Sequence, residues 1–203
     1  MIIISHRRNT IAELVNTEKK YGVEVDIRTN NNELIIHHDP FADGENFEEW
    51  LNYYNHDTLI LNIKEEGLEA RLLDLMKSKE INNFFFLDQS FPFIVKWMKQ
   101  GMTKSALRFS EYESVYTALS LKDQVDWIWV DCFNVFPLSK EDYSRLKEAN
   151  FKLCLVSPEL QGRDSVDEII EIHKYLEDNL MNIDAVCTKK IHLWEQLGNE
   201  RHS

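Results

Sequence analysis

The chain has 203 residues, of which 43% are hydrophobic and 29% are charged, and its formal net charge is −12. This length predicts a single globular domain, residues 1–203, and the composition is unlike that of disordered or collagen-like chains. The acidic balance argues against nucleic acid as a partner, because lysine and arginine are not in the surplus that neutralising phosphates requires.

We expect neither a signal peptide nor an integral membrane segment. The apolar run at residues 1–5 is too short for a signal peptide, and no run approaches the roughly 20 apolar residues of a membrane helix. The cysteines, Cys132, Cys154 and Cys187, are odd in number and widely spaced, which favours reduced thiols. We therefore expect a cytoplasmic protein.

Short apolar runs alternate with amphipathic stretches from one end of the chain to the other. The predicted strands are Ile2–Ser5, Val23–Ile27, Thr58–Ile63, Phe84–Leu87, Ser105–Phe109, Trp127–Val130, Lys152–Val156 and Ala185–Cys187. The predicted helices are Thr10–Tyr21, Glu45–Tyr54, Leu68–Lys79, Phe93–Gln100, Glu111–Leu119, Lys140–Ala149 and Val166–Asn179. Most of the strands lack polar alternation, which is typical of strands buried on both faces. Ser139, three residues before Asp142, is a predicted helix N-cap.

About eight strand–helix units predict an α/β fold, a (β/α)8 TIM barrel at the short end of its usual length. The alternative is an open parallel sheet of the flavodoxin type, which typically has fewer strands. An additional strand is predicted at Leu34–His37, after a turn at Asn30-Asn31-Asn32. It would form a small β-hairpin insertion after strand 2 and carry His38 back over the mouth of the barrel.

Charged or hydrogen-bonding residues follow almost every predicted strand. Glu24 and Asp26 end the second strand, and because they are two residues apart their side chains point the same way. Two carboxylates directed at one place repel each other unless a positive charge lies between them, and a divalent metal with oxygen ligands would supply it. The active site of a (β/α)8 barrel is built at these strand ends. The other polar residues placed there include His6, Arg7, Asn62, Lys64, Asp88, Arg108 and Asp131.

Two histidines complete this set of candidate residues. His6 follows the first strand and His38 follows the extra strand, and histidines donate and accept protons near neutral pH. His37 and His38 cannot both face inward, because adjacent side chains on a strand alternate. Histidines beside a carboxylate pair suggest phosphodiester chemistry.

These motifs resemble those of the glycerophosphodiester phosphodiesterase family, within the wider phosphatidylinositol-phospholipase-C-like barrels. The matching motifs are His6-Arg7, Glu24-Val25-Asp26, His38-Asp39 and Ser90-Phe91, and Asn62-Ile63-Lys64 stands where the family has an acidic residue, any residue and Lys. The usual Gly after His-Arg is Arg8 here. The resemblance is most specific over the first third of the chain.

The resemblance implies a hydrolase that acts on a small glycerophosphodiester-like molecule with the help of a divalent metal, Mg²⁺ or Ca²⁺. It implies His6 as the general base and His38, rather than His37, as the general acid. Phosphate binding would fall to Arg7 and Lys64, and to Arg108 by its position. Because Asn62 offers a carbonyl oxygen without charge, metal affinity should be weaker, or the third ligand should shift. The candidate metal ligands are Glu24, Asp26, Asn62 and Asp88, with Asp131 as a further possibility.

Other interpretations of the same residues remain open. Glu24 and Asp26 would also fit an ion-pair network with Arg28 and Lys64, and Asp88 would also fit a helix cap. A divergent group of short phosphodiesterase-like proteins suggests a second function, processing or binding a phosphorylated sugar intermediate in surface-polysaccharide synthesis, with or without a metal. A third hypothesis is a non-catalytic binding module with a degenerate site.

Overall fold

The structure is a computed structural model that describes residues 1–163 and 165–200. Over these residues the chain forms ten strands and eight α-helices. The strands are β1 (Ile2–Ser5), β2 (Gly22–Asn30), β3 (Glu33–Ile36), β4 (Glu45–Asn46), β5 (Leu59–Ile63), β6 (Phe84–Leu87), β7 (Ala106–Phe109), β8 (Trp127–Val130), β9 (Lys152–Val156) and β10 (Ala185–Thr188). The α-helices are α1 (Ile11–Val15), α2 (Phe47–Trp50), α3 (Glu69–Ser78), α4 (Phe91–Met98), α5 (Val115–Leu119), α6 (Lys140–Glu148), α7 (Val166–Asp178) and α8 (Ile191–Glu200). Short 3-10 helices cover Leu51–Tyr53 and Pro158–Gln161.

All eight strands of the predicted alternation are present, and only β2 departs from its predicted bounds by more than one residue, continuing to Asn30. The additional strand predicted at Leu34–His37 is present as β3. The N-cap predicted at Ser139 is confirmed, because the Ser139 side chain accepts a hydrogen bond from the backbone N–H of Asp142.

Four helices differ from their predicted extents by two residues or more. The helix predicted over Glu45–Tyr54 is α-helical only over Phe47–Trp50, because Glu45–Asn46 pair with β3 as β4, and the helix predicted over Phe93–Gln100 covers Phe91–Met98. The helix predicted over Thr10–Tyr21 ends at Val15, because the Thr17 hydroxyl and backbone N–H bond to carbonyls of the last turn and close it. The helix predicted over Glu111–Leu119 begins only after Ser114, whose side chain caps its first turn. Helix α8 is additional to the predicted elements.

Residues Ser5–Ser105 form one compact unit, here called the N-terminal unit. Its strands follow the order β4-β3-β2-β5-β6, with β2, β5 and β6 parallel and β3 antiparallel to both β2 and β4. The chain reverses between β2 and β3 at Asn31 and Asn32, whose φ angles are 48° and 68°. Asparagine tolerates this left-handed conformation better than most residues, which explains the turn at this point.

The core of the N-terminal unit lies against one face of β2. Val23, Val25 and Ile27 are fully buried there, together with Phe47 and Trp50 of α2. The Trp50 indole N–H also donates a hydrogen bond to the carbonyl of Arg8, 3.0 Å away, which holds the segment after β1 close to this core. Packing on one face of β2 thereby fixes which residues of the strand point to the other face.

The second compact unit, here called the C-terminal unit, comprises Met1–Ile4 and the described residues from Ala106 onward. Its strands follow the order β1-β10-β9-β8-β7, and β7, β8, β9 and β10 are parallel to their neighbours. Cys132 is buried in this unit, and burial raises the pKa of its thiol to about 12. A thiol that keeps its proton at neutral pH is a poor nucleophile, in keeping with the lack of an adjacent histidine.

Parallel strands alternating with helices confirm the predicted α/β class. The closed (β/α)8 barrel, the status of the β2–β3 hairpin as an insertion and the single-domain organisation stay predictions. Across residues 1–163 and 165–200, no helix combines the length and the apolar character needed to cross a bilayer.

Candidate active site

The candidate active site is built on β2 and β5 of the N-terminal unit. Because the apolar residues of β2 pack into the core, Glu24 and Asp26 lie together on its opposite face, and both carboxylates are fully buried. Strand β5 runs parallel to β2 with Asn62 in register with Asp26, and Lys64 follows directly after β5. The local alternation and the register together bring these four side chains to one place.

Glu24 is held by groups from two neighbouring segments. Its Oε1 accepts a hydrogen bond from Nδ2 of Asn62 at 2.8 Å, and its Oε2 accepts one from the backbone N–H of Arg7 at 2.7 Å. Nε2 of His6 lies 3.7 Å from the same Oε2. The carboxylate therefore links the His6-Arg7 segment to the end of β5, as the motif pattern predicted these residues would converge.

Asp26 has a different set of partners. Its Oδ2 accepts a hydrogen bond from Nδ2 of Asn9 at 2.8 Å, and the Asp26 N–H donates to Oδ1 of Asn9 at 3.1 Å. Nε of Arg7 lies 3.4 Å from Oδ2, and Nζ of Lys64 lies 3.5 Å from Oδ1. Asn9 was missed by the sequence reasoning, and its one signal is a position two residues after the His-Arg pair.

Burial and the neighbouring Asp26 both affect the ionisation of Glu24. Burial, and secondarily repulsion by Asp26, raise the pKa of Glu24 to about 7, against the opposing effects of Asn62, the Arg7 N–H and Lys64. Burial disfavours the charged form, and a neighbouring like charge does so further. The site thus contains a carboxyl group whose pKa is raised to near neutral pH, beside the imidazole of His6.

Arg7 adopts an unfavourable backbone conformation, with φ at 50°. A left-handed conformation costs a residue with a side chain roughly 1–2 kcal/mol. The hydrogen bonds that oppose this cost run from the Arg7 N–H to the Glu24 carboxylate and from the Arg8 N–H to the Glu24 carbonyl. Strain of this kind concentrates at functional positions, and here it directs the Arg7 guanidinium to Asp26.

Lys64 lies between two carboxylates. Its Nζ is 3.0 Å from Oδ2 of Asp88 and 3.5 Å from Oδ1 of Asp26, and only 15% of its side chain is exposed. Asp88 follows β6 and also has a positive φ, 58°. The structure therefore brings Asp88 to the candidate site through Lys64, while Asn62 joins it through Glu24.

His38 is positioned by Arg28. The Arg28 guanidinium donates to the His38 carbonyl through Nε and Nη2 at 3.0 and 2.9 Å, and to the Lys64 carbonyl through Nη1 at 2.9 Å. Instead of pairing with Glu24 or Asp26, as the ion-pair interpretation supposed, Arg28 fastens the segment after β3 to the end of β5. Sequence reasoning missed this role because backbone carbonyl acceptors leave no pattern in a sequence.

The His38 ring contacts the next residue. Its Nδ1 lies 2.8 Å from Oδ1 of Asp39, and 42% of its side chain is exposed. The hydrogen bond from His38 is the largest cause of a lowered pKa at Asp39. The neighbouring His37 accepts a hydrogen bond from the Asp39 N–H through Nδ1. A carboxylate on one ring nitrogen leaves Nε2 of His38 for exchange of a proton with a ligand.

Arg108 lies in the C-terminal unit, where its partners are two acidic residues. Its Nη1 forms a short ion pair with Asp131, and its Nε lies 3.9 Å from Glu113. Nε2 of Gln161 donates to the other oxygen of Asp131 at 2.6 Å. Phosphate binding by Arg108 stays a prediction that rests on its strand-end position.

The oxygen atoms at the candidate site fit a weakly held divalent cation. Oδ1 of Asp26 and Oδ1 of Asn62 are buried, and neither has a hydrogen-bond partner among the described residues. Carboxylate and amide oxygens are the ligands that Mg²⁺ and Ca²⁺ prefer. However, within residues 1–163 and 165–200 no three or more His, Cys, Asp or Glu side chains are grouped to hold a metal. Any cation here would be held by two carboxylates and a neutral amide.

Comparison with solved structures relates this arrangement to known proteins. A glycerophosphodiester phosphodiesterase from Agrobacterium tumefaciens superposes with a TM-score of 0.69 at 12% sequence identity, covering 98% of this chain and 99% of that one. A glycerophosphoryl diester phosphodiesterase from Parabacteroides distasonis gives a TM-score of 0.66 at 10% identity, covering 98% of this chain and 86% of that one. No protein-family description and no curated protein sequence matches the chain.

The chain therefore has the fold of the glycerophosphodiester phosphodiesterases, as the motif resemblance implied. At identities of 10–12% this likeness concerns the fold alone. The function must be argued from the site itself, because one fold supports many chemistries.

Proposed function

We propose that the protein is a phosphodiesterase that hydrolyses a small alcohol phosphodiester of the glycerol phosphodiester type. The observation that supports this most is the buried Glu24–Asp26 pair, with His6, Arg7 and Lys64 converging on it. Buried carboxylates facing two cations and a histidine are expensive to maintain for stability alone, and such perturbed groups concentrate at functional sites.

Arg7 and Lys64 bind the phosphate. The guanidinium and ammonium groups are held next to Asp26 without being fully enclosed, since 40% and 15% of their side chains are exposed. A phosphodiester anion at this point would accept hydrogen bonds from both groups, and these would strengthen as charge develops on the phosphoryl oxygens. Glu24, Asp26 and Asn62 would hold a divalent cation, which supplies further neutralisation of that charge when bound.

His6 and His38 transfer the protons. His6, close to the Glu24 carboxylate, takes the proton of the attacking hydroxyl group, and Glu24 stabilises the imidazolium that results. His38, whose Nδ1 is engaged by Asp39, gives a proton from Nε2 to the departing alkoxide. The attacking hydroxyl belongs either to water or to the substrate's own alcohol, and in the second case a cyclic phosphate forms first.

Turnover of a panel of glycerol phosphodiesters tests this proposal. The protein would be assayed after metal removal and again with Mg²⁺, Ca²⁺ or Mn²⁺, beside His6→Ala, His38→Ala and the exposed control His192→Ala. We expect at least about a hundredfold loss in the first two variants and none in the control. Normal turnover in His6→Ala and His38→Ala, or no turnover by the wild type under any condition, would contradict the proposal.

A further inference from the structure

The two histidines of the proposed mechanism lie on different segments of the N-terminal unit. His6 opens the segment between β1 and α1, and His38 follows β3. Both rings must keep their places beside the carboxylate pair, because a displacement of about 1 Å is enough to slow a reaction between positioned groups. The contacts that join the two segments therefore bear on the chemistry.

Glu45 of β4 provides one such contact. Its Oε2 accepts a hydrogen bond from the backbone N–H of Ile11, the first residue of α1, at 2.5 Å. This bond lies outside the capping box of α1, in which Thr10 accepts from the Glu13 N–H and the Glu13 carboxylate accepts from the Thr10 N–H. A helix of five residues is not stable by itself in water, so the bond to β4 anchors the start of α1.

The anchored end of this segment lies close to the carboxylate pair. Asn9, just before the capping box, donates to the Asp26 carboxylate and accepts from the Asp26 N–H. Arg7 keeps its unfavourable φ of 50°, and such a conformation persists only where the surrounding contacts enforce it. Releasing Ile11 from β4 would therefore loosen Asn9 and allow Arg7 to relax. A relaxed Arg7 would displace His6, which directly precedes it.

The hairpin of β3 and β4 forms the other end of this connection. Glu45 is in register with Ile36, the last residue of β3, and His38 follows that strand. A side chain at Gly44 would place its Cβ 2.3 Å from the Ile36 carbonyl oxygen, so only glycine permits the close approach that brings β4 into this register. The pairing of the two strands thus fixes Glu45 relative to the strand end that carries His38.

We propose that Glu45 is a positioning residue that ties the His6 segment to the β3–β4 hairpin and keeps the two proton-transferring histidines in one arrangement. It acts through the Ile11 N–H and takes no part in proton transfer itself. The requirement is an oxygen acceptor at this reach, which glutamine retains and alanine removes. This inference rests on the proposed phosphodiesterase function.

Steady-state hydrolysis of glycerophosphoglycerol tests the effect on turnover. The proteins compared are the wild type, Glu45→Ala, Glu45→Gln and Glu49→Ala, which removes an exposed carboxylate from α2 as a control. We expect Glu45→Ala to lose about tenfold or more in kcat with a smaller change in KM, because Lys64 at the end of β5 still binds the phosphate. Glu45→Gln should restore kcat to within about threefold of the wild type, and Glu49→Ala should leave it unchanged.

Hydrogen exchange followed by NMR tests the connection without requiring turnover. The N–H groups of Arg7 and His37 bond to the Glu24 carboxylate and the Asp26 carbonyl, so they report on the two segments separately. In Glu45→Ala both should exchange about tenfold faster while the N–H groups of β5 keep their protection, because the loss is local. Glu45→Gln should exchange like the wild type. If Glu45→Ala does not fold by circular dichroism, Glu45→Asp, which is too short by one methylene, takes its place.

The outcomes separate this inference from the proposed function. Unchanged exchange at Arg7 and His37 in Glu45→Ala would overturn it even if the wild type hydrolyses diesters. A kcat that Glu45→Ala keeps, or that Glu45→Gln fails to restore, would overturn it as well. Faster exchange at both positions, restored by glutamine, would support the connection even if no diester is hydrolysed, in which case the proposed function alone fails.

Discussion

Replacing Glu24 with glutamine should change how the stability of the protein depends on pH. In the folded protein, burial and Asp26 raise the pKa of Glu24 from 4.5 to about 7. The unfolded chain therefore releases this proton at lower pH than the folded chain does. The stability linked to the bound proton is fully present below about pH 4.5 and is lost as the pH rises to about 7.

The size of this effect follows from the shift in pKa. One pKa unit corresponds to about 1.4 kcal/mol, so the full shift corresponds to about 3 kcal/mol, of which about 2 to 3 kcal/mol falls between about pH 5 and pH 8. Glutamine has no proton to lose in this range, and it keeps an oxygen to accept from Asn62 or Arg7. The free energy of unfolding of Glu24→Gln should therefore rise relative to the wild type by that amount over the same interval.

Urea unfolding, followed by tryptophan fluorescence, measures this difference. Both proteins are treated with a metal chelator, because a bound cation would itself favour the ionised carboxylate, and the exposed Glu171→Gln controls for the change in net charge. Free energies of unfolding that run parallel with pH for the wild type and Glu24→Gln would refute the electrostatic description of the site.

Three further substitutions test the contacts around the carboxylates. Asn62→Asp should bind Ca²⁺ at least about tenfold more tightly in calorimetric titration and melt at a lower temperature without the cation, because a third charge joins the pair. Asn9→Ala should lower the free energy of unfolding in urea by roughly 1–3 kcal/mol, since Asp26 loses a buried donor and an acceptor for its N–H. Arg28→Lys, with Arg71→Lys as its control, should speed hydrogen exchange around His38, because lysine lacks the planar fork that holds both carbonyls. Each contact would be contradicted by an unchanged measurement: the Ca²⁺ affinity of Asn62→Asp, the free energy of unfolding of Asn9→Ala, or the hydrogen-exchange rate around His38 in Arg28→Lys.

Much of this site follows from local sequence pattern. Glu24 and Asp26 were predicted on one face of a strand because alternation on a strand requires it, and the structure buries them there. The bounds of most strands were predictable for a related reason, since continuous apolar runs with turn residues at both ends have few other solutions.

What escaped prediction depends on tertiary contacts. Asn9 lies close to Asp26 only because the chain turns sharply at Arg7, and Arg28 binds backbone carbonyls, which have no sequence signature. The helix predicted over Thr10–Tyr21 was too long because propensity did not reveal that Thr17 would close it early. The buried Glu69 carboxylate accepts a hydrogen bond from Gln89, which Ser105 holds in turn, and both residues are distant from Glu69 in the sequence.

The most direct test of the account is phosphorus NMR of a single glycerol phosphodiester, glycerophosphoglycerol, incubated with the wild type and with His6→Ala. The proposed function predicts that the diester signal of the wild-type sample is replaced by a monoester signal, directly or through a cyclic phosphate. In the His6→Ala sample the diester should persist. A diester signal that is unchanged by the wild type with and without divalent cations, or lost equally fast in both samples, would contradict the assignment of a phosphodiesterase site to these residues.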